Sequence, residues 1–322
     1  MSKDHKHQNI LILKLGAFGD VMMSDGAFRD IRNHHPDAYI TVLTTTPYRK
    51  IMESCPHIDS VMIDPRAPRW KFWILQKLKK QLTSLPFDRV YDLQDNARTA
   101  LYFKWMRQVP AWSGTQKGAS HRYVAKAPKT IPALDRMAGQ LEAAGLETNH
   151  TLTPDLIWMG RGQEDAIKAL LAQNQLESGF VLLIPGASAR HPQKRWPYFD
   201  KLAQWLLAQG FQVATAPGPD EIELCKNIPG IMLMDAQKPL TFFQLAALVP
   251  HASFVIGNDT GPTHLAAHTA QTKGLALFGS HTPAKLTCVE RKFDVLEVPN
   301  LKDLTLNEVT AHFAACFPHK IK

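Results

Sequence analysis

The segment ILKLGAFGDVMMS, residues 12–24, decides the fold class. An apolar run over residues 10–15 ends in Gly16-Ala-Phe-Gly19-Asp20 and continues into a helical pattern. A strand, a glycine turn and a helix start, in this order, are typical of the place where α/β proteins bind ligands. The segment lacks the third glycine of a dinucleotide fingerprint and the Gly-Lys-Ser/Thr of a phosphate loop. It carries instead an aspartate directly after the first strand.

Strand and helix patterns alternate along both halves of the chain. In the first half the predicted strands are NILILKL, AYITVLTT, SVMID and RVYDLQ, with helices such as DGAFRDIRNHH between them. In the second half they are FVLLIPGAS, FQVATAPG, IMLMDA, SFVIGND and KGLALFGS, together with the helices YFDKLAQWLLAQG and TFFQLAALVPH. This alternation predicts an α/β protein with parallel sheets that carry helices on both faces.

A boundary between two domains follows the helical pattern LDRMAGQLEAAGLETN. There a proline-containing extended stretch begins, and a new series of strands and helices starts after it. A chain of 322 residues is long enough for two full cores. We therefore predict two Rossmann-like, doubly wound domains, residues 1–155 and 156–322, that face each other across a central cleft.

The composition favours a folded protein in a reducing compartment. Hydrophobic residues make up 45% of the chain and charged residues 20%, which is ordinary for soluble proteins. No apolar run approaches the length of a membrane span, and the polar start does not have the pattern of a signal peptide. The four cysteines are far apart and form no Cys-x-x-Cys pair, which favours free thiols over a metal cluster. The sequence thus predicts a cytoplasmic protein.

The chain is basic, with a formal net charge of +8. This charge indicates either a functionally silent surface or attraction to anionic lipid headgroups or a phosphorylated substrate. Nucleic acid is not expected, because there is no zinc-finger spacing, no RRM-like aromatic motif and no long arginine-rich tract. The segment RWKFWILQKLKKQL, residues 69–82, fits an amphipathic helix with a solvated lysine face or, alternatively, a helix that docks on a membrane surface or an acceptor.

Two loops of the second half carry polar residues after predicted strands. The strand FVLLI leads into Pro-Gly-Ala-Ser188 and then into Lys194-Arg-Trp-Pro. Small residues let a backbone approach a ligand, and a hydroxyl and an ammonium group suit an anion, although a plain charged loop would look the same. The next strand ends before Asp220 and Glu221. These acids could bind ribose hydroxyls, or they could only favour the helix N-terminus that follows.

The segment FVIGNDTGPTHLAAHTAQ gives the sharpest signal. A buried strand is predicted to break at Gly257, and a helix of small residues begins around Asp259-Thr260-Gly261. Amides at a helix N-terminus and the helix dipole form an anion site, to which Thr260 adds a hydroxyl, while Gly261 removes a side chain that would block a phosphate. The alternative is that Asp259 and Thr260 only cap the helix and that His264 packs on its first turn.

Taken in order, these segments resemble glycosyltransferase family 9, the ADP-heptose:lipopolysaccharide heptosyltransferase family. The likeness extends over nearly the whole chain. Asp-Thr-Gly-x-x-His together with Lys-x-Trp-Pro is fairly specific, whereas Gly-x-x-Gly-Asp alone is weak. The residues that carry the likeness are Leu15-Gly16 with Gly19-Asp20, Asp92-Leu93-Gln94, Pro185-Gly186-Ala187-Ser188, Lys194-Arg195-Trp196-Pro197, Gly257-Asn258-Asp259-Thr260-Gly261-Pro262-Thr263-His264, and Phe278-Gly279-Ser280.

The resemblance implies the GT-B fold, sugar transfer with inversion, and a set of site residues. It makes Asp20 the catalytic base and Lys194 the cation that contacts the donor phosphates. It assigns the diphosphate to the Asp-Thr-Gly turn, with His264 nearby, and the ribose to Glu221, with Asp220 as the alternative. The donor-binding residues that the family motifs imply are Gly16, Gly19, Ser188, Glu221, Asp259, Thr260, Gly261 and His264.

The implied reaction moves a heptose or a related sugar from ADP-heptose or a similar nucleotide sugar to a lipopolysaccharide core or lipid A-linked acceptor. The chain contains no Asp-x-Asp pair, so we expect transfer without a metal or another cofactor, with cations and a helix N-terminus stabilising the leaving diphosphate. The first domain is expected to bind the acceptor and the second the donor. Basic residues of the first domain that could meet acceptor phosphates, or simply face water, are Arg98, Lys117, His121 and Arg122.

The resemblance also implies a location in the cytoplasm, with peripheral contact to the anionic inner face of the inner membrane. Two other functions fit the same motifs. One is a different GT-B enzyme, such as an epimerase or a transferase that uses another nucleotide sugar and acceptor. The other is a non-catalytic module that binds a sugar nucleotide.

Overall fold

The computed structural model describes residues 8–68, 70–126, 130–188, 191–269, 271–279 and 283–321. The chain divides into two compact units, Met1–Pro154 and Asp155–Lys322, called the N-unit and the C-unit below. Each unit has its own parallel sheet and its own hydrophobic core. The functions expected of them, acceptor binding in the first part and nucleotide-sugar binding in the second, remain predictions.

Six parallel strands form the sheet of the N-unit. They are β1 Asn9–Leu13, β2 Tyr39–Thr45, β3 Ser60–Asp64, β4 Arg89–Asp92, β5 Ala111–Gly114 and β6 His121–Arg122. Their order across the sheet is β3-β2-β1-β4-β5-β6. The winding therefore reverses between β1 and β4. In open α/β sheets, ligands bind beyond the carboxyl ends of the strands at such a switch point.

The C-unit repeats this winding. Its strands are β7 Phe180–Ile184, β8 Val213–Thr215, β9 Ile231–Met232, β10 Met234–Asp235, β11 Lys238–Pro239, β12 Ala252–Asn258, β13 Lys273–Phe278 and β14 Asp294–Glu297. Six of them form a parallel sheet in the order β14-β13-β12-β7-β8-β9, and β10 and β11 form a separate antiparallel hairpin. The switch point of this sheet lies between β7 and β12.

Helices connect most of the successive strands. In the N-unit they are α1 Phe18–Met23, α2 Asp25–His34, α3 Arg49–Ser54, α4 Phe72–Ser84, α5 Ala97–Trp105 and α6 Ala133–Ala143. In the C-unit they are α7 Glu164–Gln173, α8 Phe199–Ala208, α9 Ile222–Lys226, α10 Phe242–Leu248, α11 Gly261–Thr269, α12 Ala284–Thr287 and α13 Leu306–Cys316. No helix in these described parts of the chain is long and apolar enough to cross a membrane.

The apolar faces of the helices complete the two cores and so fix the strand ends. In the N-unit, Leu78 and Leu82 of α4 are buried in one cluster with Leu11 of β1. In the C-unit, Phe313 of α13 packs edge-on against Phe254 of β12, with ring centroids 5.2 Å apart. Burying such side chains contributes roughly 1.5–3 kcal/mol each. The loops that leave the strand ends therefore start from rigid positions.

The prediction of one strand over IMLMDA was wrong. Residues 231–232 join the main sheet, whereas residues 234–235 pair with residues 238–239. Between the two strands of this hairpin, Ala236 and Gln237 adopt left-handed backbone conformations, with φ of 44° and 63°. A two-residue hairpin loop of type I′ needs positive φ at both positions, usually from glycine, asparagine or aspartate. The sequence lacks that signal here.

The predicted break of β12 at Gly257 was also wrong. The strand continues to Asn258, because Gly257 pairs with Ile184 of β7 and with Ala276 of β13. A Cβ at this position would lie 2.3 Å from Oγ1 of Thr263. The glycine thus allows the first turn of α11 to approach the end of the strand.

Three strands of the two parallel sheets were missed, namely β5 and the edge strands β6 and β14. They are four residues long or shorter, and β6 has only two residues. KGLALFGS was expected to form the last strand of the chain, but β14 follows it and pairs with it. Strands as short as these leave little periodicity in the sequence.

Candidate functional site

The N-unit places Asp20 beside its switch point. After β1 ends at Leu13, the chain turns through Gly16 and enters α1, whose third residue is Asp20. The carboxylate is exposed, and its Oδ2 accepts a hydrogen bond from the Ala17 amide at 3.1 Å. Within the described part of the chain, no residue forms a hydrogen bond with Oδ1. That oxygen can accept a proton from a bound molecule.

The backbone requires a glycine at the turn before Asp20. Gly16 has a φ of 121°, a conformation that other residues rarely adopt. A Cβ there would also lie 2.7 Å from Cε2 of Tyr48. Gly19, the second residue of α1, is half-buried. Both glycines shape the loop that carries Asp20, while their contact with a donor stays a prediction.

A cavity of about 310 Å³ lies next to Asp20, within the N-unit. Its volume is at the lower end of the range of small-molecule sites. Charged groups of both signs and two amide groups face it, which suits a polyhydroxylated ligand better than an apolar one. The polar side chains that line it include Lys14, Asp20, Gln94, Asp95, Arg136 and Gln140.

Lys14 is the buried cation of this cavity. It is 7% exposed, and its Nζ donates a hydrogen bond to the Leu93 carbonyl at 3.1 Å. Burial holds the pKa of Lys14 below its usual value, although the charges of Asp20, Asp92 and Asp95 act in the opposite direction. Lys14 therefore links the loop after β1 to the loop after β4 by both a hydrogen bond and charge.

Asp92 organises the loop after β4. Its Oδ1 accepts the amides of Gln94 and Asp95 at 3.2 and 3.0 Å, and the Gln94 side chain accepts the Leu15 amide at 2.7 Å. Burial, together with the charge of Asp95, raises the pKa of Asp92 to about 7. Burial also raises the pKa of Asp95, against hydrogen bonds from Thr115. The motif Asp92-Leu93-Gln94 thus holds the two switch-point loops together.

The cavity lining among the described residues contains none of the four basic residues selected as acceptor contacts. Arg98 is half-buried and paired, because its Nε and Nη2 each lie 2.5 Å from the carboxylate oxygens of the buried Asp64. The other three lie on or near β6. Arg136 of α6, which sequence reasoning missed, supplies the guanidinium group of the cavity.

In the C-unit, Asn258 ties together the loops that follow β7 and β12. This residue is completely buried at the end of β12. Its Nδ2 donates to the carbonyls of Pro185 and Gly186 at 2.8 and 3.2 Å, and its Oδ1 accepts the Trp196 amide at 3.1 Å. One amide side chain thereby fixes the segment that carries Lys194.

Lys194, Asp259 and His264 form one polar network at this switch point. Nζ of Lys194 lies 2.5 Å from Oδ2 of Asp259, and Nε2 of His264 lies 3.0 Å from Oδ1. Burial acts to raise the pKa of Asp259, but hydrogen bonds from His264 and Lys194 outweigh it, so the pKa lies below its usual value. Asp259 is therefore an ionised carboxylate that holds the half-buried Lys194 in place.

Helix α11 begins two residues after Asp259 and contributes His264 to this network. Its first residue is Gly261, and the Thr260 carbonyl accepts the His264 amide at 3.1 Å. The first amides of an α-helix lack acceptors within the helix, and the helix dipole adds positive potential there. Pro262 supplies no amide, so the donors of this turn come from its neighbours. An anion at this position would meet both helix amides and the Lys194 ammonium group.

Glu221 reaches the loop after β7. Its Oε2 accepts the Gly218 amide at 2.8 Å, and a Cβ on Gly186 would lie 1.8 Å from its Cδ. The carboxylate thus occupies the space that the missing side chain of Gly186 leaves open. Asp220 is exposed. Ser188 is also exposed, and its carbonyl accepts the His191 amide at 2.8 Å.

The predicted site residues therefore form two sets, one in each unit. Asp20, Gly16 and Gly19 belong to the N-unit. The C-unit carries Ser188, Lys194, Glu221, Asp259, Thr260, Gly261 and His264. The roles assigned to them remain predictions, and Ser280 lies outside the described residues. Lys14 was not among the predicted site residues. The signal that could have identified it is a lysine inside the apolar run NILILKL.

Metal-ligating side chains cluster once among the described residues. Ligand atoms of Asp294, His312 and Cys316 all lie within 4.8 Å of one another, and Nε2 of His312 lies 3.0 Å from Oδ2 of Asp294. These residues are not members of the network around Asp259. Transfer without a metal remains a prediction.

Known proteins are similar to the chain in sequence and in fold. Residues 75–311 of the chain match the sequence profile of glycosyltransferase family 9 (heptosyltransferase). Lipopolysaccharide heptosyltransferase 2 of Escherichia coli (strain K12) is 23% identical over 301 residues, which cover 85% of this chain and 83% of the relative. A solved glycosyl transferase family 9 protein from Veillonella parvula DSM 2008 is 20% identical, with a TM-score of 0.76 over 98% of this chain and 90% of that one.

The Escherichia coli heptosyltransferase WaaC, solved with ADP-2-deoxy-2-fluoro heptose, is 17% identical, with a TM-score of 0.71 over 96% of this chain and 100% of that one. These structures have the same fold, which confirms the predicted α/β class with two Rossmann-like halves. The family match covers most of the chain and confirms the resemblance found in its motifs. The chain is therefore a glycosyltransferase and belongs to glycosyltransferase family 9.

Proposed function

We propose that the chain transfers a heptose, with inversion, from ADP-heptose to an acceptor in the lipopolysaccharide core. Family membership supports sugar transfer. The Escherichia coli relative is a lipopolysaccharide heptosyltransferase, and WaaC was solved with an ADP-heptose analogue. The observation that carries the proposal is the network of Lys194, Asp259 and His264 at the start of α11, at the switch point of a Rossmann-like sheet.

The C-unit offers two positive elements to a leaving diphosphate, the Lys194 ammonium group and the first amides of α11. Lys194 has three N–H donors: one binds the Asp259 carboxylate and a second lies 3.5 Å from the Asp259 carbonyl, so a third is available to phosphate oxygens. Because Asp259 is held in turn by His264, the ammonium group is fixed before the donor binds. Preorganised donors stabilise the charge of the transition state without rearranging, and losing one costs on the order of 3 kcal/mol.

Glu221 is the proposed ligand of the donor ribose. Its carboxylate lies over Gly186 at the end of β7, next to the loop that Asn258 fixes. Two vicinal hydroxyls can both donate to one carboxylate, which is how acidic residues after a strand bind ribose in other Rossmann-like sheets. The contact of Glu221 with the Gly218 amide holds the carboxylate in that orientation.

Asp20 is the proposed base on the acceptor side. An alcohol is a poor nucleophile at neutral pH, and a carboxylate within hydrogen-bond reach can take its proton as it attacks. In a single displacement, the acceptor oxygen bonds to the anomeric carbon while the bond to the diphosphate breaks, so the configuration inverts. The proton goes to Asp20, and the electron pair of the broken bond goes to ADP. The cavity that contains Lys14 and Arg136 is the proposed subsite for the acceptor sugar.

A donor panel tests this function. The purified chain is incubated with lipopolysaccharide that lacks core heptose and with ADP-heptose, UDP-glucose, UDP-N-acetylglucosamine or GDP-mannose. Nucleotide release is then measured with and without EDTA. We expect release only from ADP-heptose, dependent on the acceptor and unchanged by EDTA, because Lys194 and the helix amides stabilise the leaving group.

Each other outcome of the panel identifies a different function. Release from another donor would make the chain a transferase for a different sugar. Donor binding without release, with every acceptor, would indicate a sugar-nucleotide-binding module. Activity that EDTA abolishes and Mg²⁺ restores would contradict the proposed use of cations and amides in place of a metal.

A further inference from the structure

One group of side chains on the C-unit has no part in the proposed transfer, and it has the composition of a metal site. Ligand atoms of Asp294, His312 and Cys316 all lie within 4.8 Å of one another. Nε2 of His312 lies 3.0 Å from Oδ2 of Asp294. Among the described residues, no hydrogen bond reaches Sγ of Cys316, and this thiol is not in a disulfide. We call these three residues the His-Cys-Asp cluster.

Two rigid elements of the C-unit hold the cluster. Asp294 is the first residue of β14, where it pairs with Leu275 of β13 in the parallel sheet. His312 and Cys316 are four residues apart in α13, so their side chains lie on the same face of the helix. Phe313 of the same helix is completely buried in the core under the sheet. The cluster therefore joins α13 to the edge strand β14.

The cluster lies away from the strand ends that carry the proposed donor site. Asp294 is at the amino end of β14, whereas Asn258 is at the carboxyl end of β12. Because β12, β13 and β14 run parallel, these two ends are at opposite edges of the sheet. In open α/β sheets, substrates bind beyond the carboxyl ends of the strands. An ion in the cluster would therefore act on the fold and not on the reacting atoms.

The ligand types select zinc among the common divalent ions. Imidazole nitrogen and thiolate sulfur are the usual ligands of Zn²⁺, whereas Ca²⁺ and Mg²⁺ take oxygen ligands. Two histidines at the spacing of His312 and Cys316 bind zinc on the helix of the H-E-x-x-H motif. Around a tetrahedral Zn²⁺, nitrogen, oxygen and sulfur ligand atoms lie about 3.3–3.6 Å apart. The atoms of the cluster reach this spacing by small side-chain rotations.

We propose that the His-Cys-Asp cluster binds one Zn²⁺ ion that ties α13 to the edge of the C-unit sheet. Nε2 of His312, Sγ of Cys316 and a carboxylate oxygen of Asp294 each give an electron pair to the ion, and the thiol releases its proton to water. Water completes the tetrahedron, since Asp294 is exposed and a cavity of about 590 Å³ borders Cys316. Because the unfolded chain does not hold the three ligands together, binding stabilises the folded C-unit.

Calorimetric titration of the intact, reduced chain with ZnCl₂ tests this site. We expect one ion per chain with a Kd of about 1 µM or lower, and no comparable binding of MgCl₂ or CaCl₂. A hundredfold excess of zinc over its Kd should raise the melting temperature by about 5 °C. Cys316→Ser, His312→Gln and Asp294→Asn should each weaken zinc binding by about a hundredfold, because each removes one of three ligands. With CoCl₂, a sulfur-to-cobalt charge-transfer band should appear in the unaltered chain and be lost in Cys316→Ser.

The matched control addresses the other histidines that could bind zinc. A His5→Gln/His7→Gln variant removes two histidines that lie outside the described residues, and it should bind zinc like the unaltered chain. Thermal melting without zinc shows which variants are folded. The proposal is overturned if the unaltered chain binds no zinc at about 100 µM, or if any folded variant of the three ligands binds zinc normally. Loss of zinc binding in His5→Gln/His7→Gln would also overturn it.

The zinc site does not depend on the identity of the donor or on the proposed reaction. EDTA should remove the gain in melting temperature and leave the rate of transfer unchanged well below that temperature. If the chain failed to use ADP-heptose, zinc binding would still be expected. Normal transfer without any zinc binding would leave the proposed function intact and remove the site. Loss of transfer in a folded ligand variant would contradict the structural role of the ion.

Discussion

The Asp20→Asn variant is expected to lose about 10²- to 10⁴-fold in kcat while it binds ADP as tightly as the unaltered chain. Asparagine has the same size, and its Oδ1 can still accept the Ala17 amide that Oδ2 of Asp20 accepts at 3.1 Å. The loop conformation should therefore be kept. What is lost is the ability to take a proton from the acceptor hydroxyl, and the residues proposed to bind the donor are untouched.

Steady-state rates and calorimetric titration with ADP separate these two effects. The matched control is Asp37→Asn, which removes another exposed carboxylate of the N-unit that is outside the cavity lining. It should leave both the rate and the ADP affinity unchanged. A nearly normal kcat in Asp20→Asn would exclude Asp20 as the base. A parallel loss of rate and ADP affinity would make it a donor contact instead.

The Lys194→Ala variant is expected to lose about a hundredfold or more in kcat/KM and to bind ADP much more weakly. Two causes add up. The ammonium group no longer stabilises the leaving diphosphate, and the ionised carboxylate of Asp259 loses the partner 2.5 Å away. That carboxylate, with only His264 left as a charge-assisted donor, would then repel the phosphates.

A double variant, Lys194→Ala with Asp259→Asn, distinguishes the two causes. It removes the negative charge of Asp259, which has lost its lysine partner. ADP affinity should therefore recover in part, whereas the rate should stay low. Calorimetry and initial rates measure both quantities, and Lys168→Ala serves as the control because this lysine is exposed elsewhere on the C-unit. Unchanged ADP affinity in the single variant would contradict the phosphate contact. Full recovery of both ADP affinity and rate in the double variant would mean that Lys194 only neutralises Asp259.

The central strands could be predicted from the sequence because both of their faces are buried. NILIL of β1 and FVLLI of β7 are nearly continuous apolar runs, and nine of their ten residues are buried. The edge strands β6 and β14 could not be predicted in this way. DVLE of β14 has no buried residue, so its sequence shows no clear pattern. The hairpin after β9 was missed because alanine and glutamine form its turn.

Single residues of the candidate site could be predicted where they lie in a loop that follows a predicted strand. Asp20 after β1 and the Asp-Thr-Gly turn after β12 are visible as local patterns. The pairing of Lys194 with Asp259 joins residues that are 65 positions apart, and no local spacing indicates it. The same holds for the Lys14 ammonium group at the Leu93 carbonyl, 79 positions away. Contacts of this kind depend on the order of the strands in each sheet.

The anomeric configuration of the product tests the central claim most directly. The chain is incubated with ADP-heptose and a heptose-deficient lipopolysaccharide acceptor, and the new glycosidic bond is examined by nuclear magnetic resonance. One displacement with a single carboxylate base, Asp20, and a fixed cation, Lys194, predicts a heptosyl linkage of configuration opposite to that of the donor. A linkage that retains the donor configuration would require a second displacement and would contradict this account.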